Sequence, residues 1–372
     1  MSPGFYNRQS ENPHNARFES IEVEYDEGVE RPQAMRVHKE VSKSILTRND
    51  SPDIPFRWSV NPYRGCAHAC SYCYARPYHE YLGLSAGTDF DTQIVAKVNA
   101  PELLEKELSK PSWRGEAIAL SGITDCYQPA EAALKITRRC LEVCLGHQTP
   151  VGLITKSLLV TRDLDVLAAL SREAGATVCV SIPFWNAEDA RGMEPFAPPP
   201  EARFRVLEKL AAAGVRTGIS VSPLIPGWND SDIPKVLRRA GEAGVSFAFY
   251  TLLRLPGAVE PVFLSRLRRD FPERAGKVEH HMRETHGGNL KHTGFGDRMK
   301  GSGKMADVIA DLFRLHVRKN GIDRREAGNM RMPPENPARP AAAEPGPRRK
   351  PDNPGTPKKT PQTPGFQTDL FG

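Results

Sequence analysis

The chain has 372 residues, of which 39% are hydrophobic and 26% charged, so it is long enough to bury one large core with appendages. The net charge of +6, from 51 basic and 45 acidic residues, is too small to imply a polyanionic partner. Neither a membrane-spanning apolar run nor a signal-peptide-like start is present, so we expect a cytoplasmic protein with no membrane association. The seven cysteines are clustered and odd in number, which favours metal ligation or catalysis over disulfides.

The predicted elements alternate between short β-rich runs and longer helical patterns. Residues 1–50 lack a clean periodicity and are predicted to form an irregular N-terminal extension. The core at 51–275 contains six strands separated by helices, and this alternation implies a parallel sheet covered by helices. Six repeats favour a partial (β/α)6 barrel, with a doubly wound sheet as the alternative. The predicted strands are 57–61, 117–121, 152–155, 177–182, 216–222 and 246–251, with an inserted strand at 93–98 and an inserted helix at 101–108.

The pattern changes after the predicted barrel. Residues 276–332 are predicted as a helical and irregular segment, in which 305–319 has the periodicity of one amphipathic helix. Between 333 and 365, eleven of 33 residues are proline, a composition that cannot bury a core. We therefore predict a disordered, Pro-rich tail at 333–372 that ends in a short peptide motif.

Three cysteines, Cys66, Cys70 and Cys73, lie within eight residues, directly after the first predicted barrel strand. In a β/α barrel this junction lies at the C-terminal face, where active sites collect. Three closely spaced thiolates can hold three corners of an iron–sulfur cube, and the fourth iron is then open to a substrate. The alternative is a structural zinc site, which needs a fourth ligand such as His68 or His79.

The Cys-x3-Cys-x2-Cys spacing at this position resembles the signature of radical S-adenosylmethionine enzymes. The resemblance covers about residues 56–264 and implies a partial (β/α)6 barrel of the radical SAM type. It also implies a [4Fe–4S] cluster on the three cysteines, whose open iron chelates the amino and carboxylate groups of S-adenosyl-L-methionine. An electron donor such as flavodoxin or ferredoxin reduces such clusters. Cleavage of the sulfonium then gives methionine and a 5′-deoxyadenosyl radical, which removes hydrogen from a substrate.

Further positions extend the resemblance along the barrel. Ser121, Gly122 and Thr124 follow the second strand, where the superfamily has a Gly-Gly-Glu-like turn against the amino group of S-adenosylmethionine. The alternative there is an ordinary strand–helix turn with Asp125 as a capping residue. The other cofactor-binding residues that the resemblance implies are Tyr74 after the third cysteine, Lys156 opposite the S-adenosylmethionine carboxylate, Ser181 on the inward face of the fourth strand, and Ile225 beside the adenine.

Within the superfamily, the run Cys-Ser-Tyr-Cys-Tyr, a Thr-Lys pair at 155–156 and the strand with Ser181 resemble the spore photoproduct lyases. Those enzymes repair a thymine dimer and return a hydrogen atom from a cysteine whose place Gly122 takes here. We therefore predict that Cys126 or Tyr72 donates the hydrogen, with a packed core position as the alternative for Cys126. The resemblance implies a nucleic-acid substrate and DNA repair, and modification of RNA or protein stays open.

The end of the chain carries a separate motif. The last residues resemble the Gln-x-x-Leu-Phe peptide that binds bacterial DNA sliding clamps, with Gln367, Leu370 and Phe371 at the matching positions. An extended linker before this peptide would allow it to contact a partner at a distance. We predict the sliding clamp as a partner, with an inert tail as the alternative. If the three cysteines form a structural zinc site, this motif allows a second function, a non-catalytic, metal-stabilised adaptor bound to the clamp.

Overall fold

The computed structural model describes residues 20–22, 35–290 and 298–322. In chain order the strands are β1 (Ser20–Glu22), β2 (Arg36–Glu40), β3 (Leu46–Arg48), β4 (Trp58–Val60), β5 (Tyr63–Arg64), β6 (Gln93–Lys97), β7 (Ile118–Leu120), β8 (Val151–Thr155), β9 (Ala176–Ser181), β10 (Arg216–Leu224) and β11 (Phe247–Leu252). The helices are α1 (Pro77–Glu80), α2 (Thr88–Thr92), α3 (Ala100–Leu108), α4 (Ala130–Leu134), α5 (Ile136–Gly146), α6 (Leu164–Glu173), α7 (Ala187–Met193), α8 (Pro200–Ala212), α9 (Ile233–Glu242), α10 (Val259–Asp270), α11 (Pro272–Thr285) and α12 (Lys304–Lys319).

The main sheet has seven strands in the order β11-β10-β9-β8-β7-β4-β3. Its first six members are parallel, and β3 pairs antiparallel with β4 at the edge. Each parallel strand therefore pairs with the next parallel strand along the chain, with helices between them. The reversal of strand order that defines a doubly wound sheet does not occur among these strands. The predicted partial (β/α)6 barrel is confirmed, and each of its six predicted strands overlaps an observed one.

The two faces of β9 show how the barrel is filled. Val178 and Val180 are fully buried in the main core cluster, which includes the helices outside the sheet. The alternate residue Cys179 belongs to a separate small cluster with Phe247 and Phe249 of β11. Strand alternation therefore places branched residues outside and a thin layer of thiol and aromatic side chains inside, as the sequence predicts.

A second, four-stranded sheet in the order β1-β2-β6-β5 lies beside the start of the barrel. It contains the predicted inserted strand as β6, and β5 leads from it directly into the cysteine run. The prediction that residues 1–50 are irregular is wrong for the described residues, because β1, β2 and β3 lie in that segment. Pairing of β2 with β6, far along the chain, stabilises a strand that has no periodicity of its own.

The C-terminal part of the described chain covers the last barrel strand. The predicted amphipathic helix at 305–319 is α12, and Tyr250 of β11 packs on Phe313 of α12 with 4.7 Å between ring centroids. Across the described ranges, every helix falls short of the length and apolar content needed to span a bilayer. The predicted tail at 333–372, with Gln367, Leu370 and Phe371, lies outside the described residues.

Candidate functional site

The three clustered cysteines lie on one loop between β5 and α1, at the carboxyl end of β4. The loop is anchored by its backbone: the Cys66 amide donates to the Phe90 carbonyl at 2.9 Å, and the Ser71 amide donates to the Met193 carbonyl at 3.0 Å. Gly65 has φ +74°, and a Cβ atom there would stand 3.0 Å from the Phe90 carbonyl oxygen. A glycine is therefore required immediately before Cys66.

Two buried side chains, Arg76 and Gln128, form hydrogen bonds with the backbone of this loop. The Arg76 guanidinium donates to the Cys70 carbonyl at 3.0 and 2.9 Å and pairs with Asp91 at 2.8 Å. The Gln128 side chain donates to the Gly65 carbonyl and accepts from the Ala67 amide, at 3.1 Å each. These contacts fix the backbone that presents the thiols. The sequence analysis missed both residues, because their roles depend on contacts across the fold.

The three thiols themselves are free of disulfides, with Cys66 and Cys70 buried and Cys73 half-buried. Burial raises the pKa of the Cys70 thiol to about 12 and also raises the pKa of Cys66. The protein alone therefore does not stabilise thiolates here. Thiols bind a metal only in their ionised form, so a positively charged metal group would supply the missing stabilisation. Three free thiols on one loop fit the donor set of an iron–sulfur cluster.

A single zinc ion fits the same residues less well. The three sulfur atoms are not all within 4.8 Å of one another, whereas thiolates around one tetrahedral zinc stand about 3.8 Å apart. Of the two candidates for a fourth ligand, His68 already has a carboxylate partner, and the buried His79 Nε2 has no hydrogen-bond partner among the described residues. His68 Nδ1 lies 3.3 Å from Asp125 Oδ2, and the His79 ring packs edge-on against Phe90 with 5.6 Å between ring centroids.

Asp125 connects the cysteine loop to the end of β8. Besides its contact with His68, it accepts hydrogen bonds from the Thr155 hydroxyl at 2.7 Å and from the Lys156 amide at 2.8 Å. Burial alone would raise the pKa of Asp125, but the interaction with His68 and the hydrogen bonds lower it to about 2. An ionised carboxylate therefore joins the turn after β7, the loop and β8 at one point.

Replacing Asp125 with asparagine should destabilise this junction. Both carboxylate oxygens accept hydrogen bonds, so either orientation of the amide places its NH2 group against a donor. We expect Asp125→Asn to lower the free energy of unfolding by about 3 kcal/mol, measured by chemical denaturation. Asp165→Asn, at an exposed carboxylate paired with Arg138, is the matched control and should change it by less than about 0.5 kcal/mol. Equal midpoints for the two variants would contradict the assignment.

A buried charge network lies beside the cysteine loop. Lys156 Nζ is 3.8 Å from Glu194 Oε1 and 5.7 Å from the centre of the Tyr72 ring. Glu194 also accepts hydrogen bonds from the Tyr72 hydroxyl and from the Arg203 guanidinium. Glu194 and Arg203 are almost completely buried. Two cations therefore share the Glu194 carboxylate.

Lys156 is the less closely paired of the two cations, because Arg203 makes the shorter ion pair with Glu194. Burial lowers the pKa of Lys156, but attraction to nearby acidic groups, Glu194 among them, outweighs burial and raises the pKa overall. The ammonium group therefore stays protonated at neutral pH. Such a group can neutralise a carboxylate in a poorly hydrated site, which is the role predicted for Lys156.

The predicted residues after β7 divide into two groups. The Tyr74 hydroxyl donates to the Gly122 carbonyl at 2.5 Å, which joins the cysteine loop to this turn. Ser121 has φ +69°, and its hydroxyl accepts from the Cys126 amide at 2.9 Å. The Thr124 hydroxyl instead donates to a carbonyl of β5 at 2.9 Å. Tyr74 and Gly122 thus meet directly, whereas Ser121 and Thr124 stabilise the turn.

The predicted residues on the later strands also lie at carboxyl ends. The Ser181 hydroxyl at the end of β9 donates to the Ser222 carbonyl of β10 at 3.2 Å. Ile225, just after β10, is fully buried and belongs to the same apolar cluster as Cys70 and Tyr72. The end of β10 is therefore packed into the cluster that surrounds the cysteine loop.

Cys126, the other predicted hydrogen donor, is a buried residue of the turn after β7. Its side chain is fully buried in the main core cluster, together with Ile136 and Cys140 of α5. The Thr137 hydroxyl donates to the Cys126 carbonyl at 2.6 Å, which ties this segment to the same helix. This burial fits the packed alternative for Cys126, and its role as a hydrogen donor stays a prediction.

Comparisons with known proteins agree with this architecture. The Radical SAM superfamily model matches residues 60–240. An uncharacterized protein of Mycobacterium tuberculosis is 37% identical over 239 residues, which cover 63% of this chain and 70% of the relative. The radical SAM Nalpha-GlyT isomerase of Pseudomonas phage M6 is 24% identical over 219 residues, which cover 58% of this chain and 43% of the isomerase.

Among solved structures, spore photoproduct lyase complexed with dinucleoside spore photoproduct has a TM-score of 0.57 and 15% identity, and the match covers 79% of this chain and 81% of the lyase. This likeness concerns the fold. The residues matched by the superfamily model run from the last residue of β4 into α9 and so include the whole cysteine loop. The strand order, the loop and the match agree, and the chain belongs to the radical S-adenosylmethionine superfamily.

Proposed function

We propose that this protein binds a [4Fe–4S] cluster through Cys66, Cys70 and Cys73 and uses S-adenosylmethionine to remove hydrogen from a nucleic-acid substrate in DNA repair. The observation that carries the proposal is the loop of three free thiols at the carboxyl end of β4, beside the half-buried Lys156 ammonium. When bound, the cluster and S-adenosylmethionine supply reductive cleavage of the sulfonium and hydrogen abstraction.

The protein's own groups orient S-adenosylmethionine. Lys156 would bind the carboxylate of S-adenosylmethionine. Its ammonium group lies 3.8 Å from Glu194 and shares that carboxylate with Arg203. Glu194 in turn is fixed by Arg203, so the lysine is held in place without being neutralised. The turn at Gly122, whose carbonyl is bonded to Tyr74, would face the other end of the methionine group.

The site also excludes water from reactive species. Cys70 and Tyr72 pack with Ile225, Phe184 and Trp228 in one buried cluster. A site lined in this way would keep solvent and dissolved oxidants away from reactive species until the substrate reacts. Among the predicted hydrogen donors, Tyr72 alone lies here, with its hydroxyl bonded to Glu194. We therefore retain Tyr72 as the proposed donor.

The choice of nucleic acid rests on similarity. The solved lyase that shares the fold is complexed with a dinucleoside, which supports a nucleotide substrate for this chain. Modification of RNA or of a protein uses the same cofactor chemistry and is the alternative. As partners we propose a flavodoxin or ferredoxin as electron donor in the cytoplasm, and the sliding clamp for the peptide with Gln367, Leu370 and Phe371.

The deciding experiment measures S-adenosylmethionine cleavage by the reduced, anaerobically reconstituted protein. Methionine and 5′-deoxyadenosine are quantified without substrate and with ultraviolet-damaged DNA, undamaged DNA or RNA. We expect cleavage in all samples and the largest yield with damaged DNA. Stimulation by RNA and not by DNA would indicate that RNA modification, the alternative function, is correct. No cleavage under any condition would overturn the proposed function.

A further inference from the structure

Exposed aromatic side chains are concentrated next to the cysteine loop. Tyr74, Tyr78 and Tyr81 are 42%, 48% and 84% exposed, and they are three of the seven strongly exposed large hydrophobic residues in the described chain. The Tyr78 and Tyr81 rings lie 6.3 Å apart between centroids, inclined by 42°. Adjacent exposed aromatic side chains are uncommon on a surface that binds nothing. Two neighbouring ring faces therefore stand open to a partner.

A cation borders these rings. Arg254 lies two residues beyond the end of β11, and its guanidinium carbon is 6.0 Å from the centre of the Tyr74 ring. Among the described residues, Arg254 forms no ion pair with a carboxylate. The neighbouring Asp53 is instead paired with Arg298. Burial, followed by repulsion from Arg298, lowers the pKa of Arg254. An anion placed here would therefore be stabilised. We call Tyr74, Tyr78, Tyr81 and Arg254 the Tyr–Arg surface.

We propose that the Tyr–Arg surface binds a single-stranded segment of nucleic acid, with bases stacked on Tyr78 and Tyr81 and a backbone phosphate on Arg254. Aromatic rings accept any base through its π-face, and the planar guanidinium fits a phosphate through two hydrogen bonds. This proposal rests on the proposed function and adds to it where the strand lies and in what form it is bound.

The position of the surface explains why the bound segment is single-stranded. Tyr74 directly follows Cys73, and its hydroxyl is bonded to Gly122 at 2.5 Å, so the surface begins at the cysteine loop. Enzymes that react with a base take it out of the double helix, because the reacting atom is otherwise covered by its neighbours. Unpaired nucleotides on Tyr78 and Tyr81 would lead the reacting nucleotide to the barrel mouth. One acidic residue, Glu80, lies between these tyrosines and would favour binding through bases over dense phosphate contact.

Binding is tested on the full, anaerobically reconstituted protein by fluorescence anisotropy with a labelled single-stranded oligothymidine of about 15 nucleotides. We expect Tyr78→Ala to raise Kd about tenfold, because one stacked base is lost, and Tyr78→Phe to raise it less than about twofold. Arg254→Gln should reduce the slope of log Kd against log salt by roughly 0.7, the value for one contact with a single strand. Arg238→Gln removes the same charge from the exposed face of α9 and is the matched control, with no change expected.

Several results would overturn the proposal. Tyr78→Ala and Arg254→Gln binding as tightly as the unsubstituted protein would do so, as would equal losses for Tyr78→Ala and Tyr78→Phe. Tighter binding of a labelled acidic peptide than of the oligonucleotide, with the same dependence on Arg254, would assign the surface to a protein partner instead. S-adenosylmethionine cleavage by the unsubstituted protein is measured in the same preparation without nucleic acid. If the protein cleaves S-adenosylmethionine but does not bind the oligonucleotide, only the proposal for the Tyr–Arg surface is overturned. If binding depends on Tyr78 and Arg254 but S-adenosylmethionine is not cleaved, only the proposed function is overturned.

Discussion

Cys70→Ser will leave the reconstituted protein with fewer than about one iron atom per chain, against about four in the unsubstituted protein. Serine keeps the size of the side chain, and Arg76 still holds the carbonyl of residue 70, so the loop retains its shape. What is lost is one of three thiolate ligands, and a hydroxyl at this position is a poor ligand for iron. Cleavage of S-adenosylmethionine should fall to background, and absorbance near 400 nm should disappear with the iron.

The matched control for this prediction is Cys144→Ala. Cys144 is also a free, buried cysteine, but it lies on α5 in the main core cluster. Its removal leaves a small cavity and a modest loss of stability, and iron content should stay near four per chain. Full iron in Cys70→Ser, or loss of iron in Cys144→Ala with the fold intact, would refute the assignment of the cluster to the loop.

Glu194→Gln will lower the free energy of unfolding by about 3–5 kcal/mol, because it leaves the buried Arg203 and the half-buried Lys156 without their anion. Arg203 is almost completely buried against Glu194, and Lys156 lies 3.8 Å from the same carboxylate. Burial alone would raise the pKa of Glu194, but the two cations lower it overall. The stabilisation is therefore fully present above the carboxyl pKa of the unfolded chain and is lost as the pH falls through the lowered folded value.

Two further variants separate this charge effect from a general effect of the substitution. Glu201→Gln, on the exposed start of α8, should change the unfolding free energy by less than about 0.5 kcal/mol. Arg203→Met combined with Glu194→Gln removes the arginine cation as well and should be less destabilised than the sum of the single variants. Additive losses in the double variant, read from chemical denaturation, would show that the pair is not coupled.

The fold and the cysteine loop follow from local sequence patterns. Each barrel strand is a short β-rich run between helical patterns, and strands that follow one another in this way pair in order. The cysteines are close in sequence, so their position at the end of the first barrel strand follows once that strand is recognised. Lys156 directly follows β8, but the family resemblance, and not the local pattern, singled it out.

The supporting contacts could not be read from the sequence because they join distant segments. Glu194 follows α7, and its hydrogen bond with Tyr72 spans 122 residues. A capping role was one alternative for Asp125, and only its contacts with His68 and Lys156 show that it links the loop to β8. The burial of Cys126 against α5 likewise depends on contacts with residues further along the chain, Ile136 and Cys140 among them.

The most direct test of the central claim is electron paramagnetic resonance of the anaerobically reconstituted protein after reduction with dithionite, followed by addition of S-adenosylmethionine. The account predicts the signal of a reduced [4Fe–4S] cluster, a change in that signal when S-adenosylmethionine binds, and release of methionine. A protein that binds zinc in preference to iron, gives no paramagnetic signal and releases no methionine would contradict it.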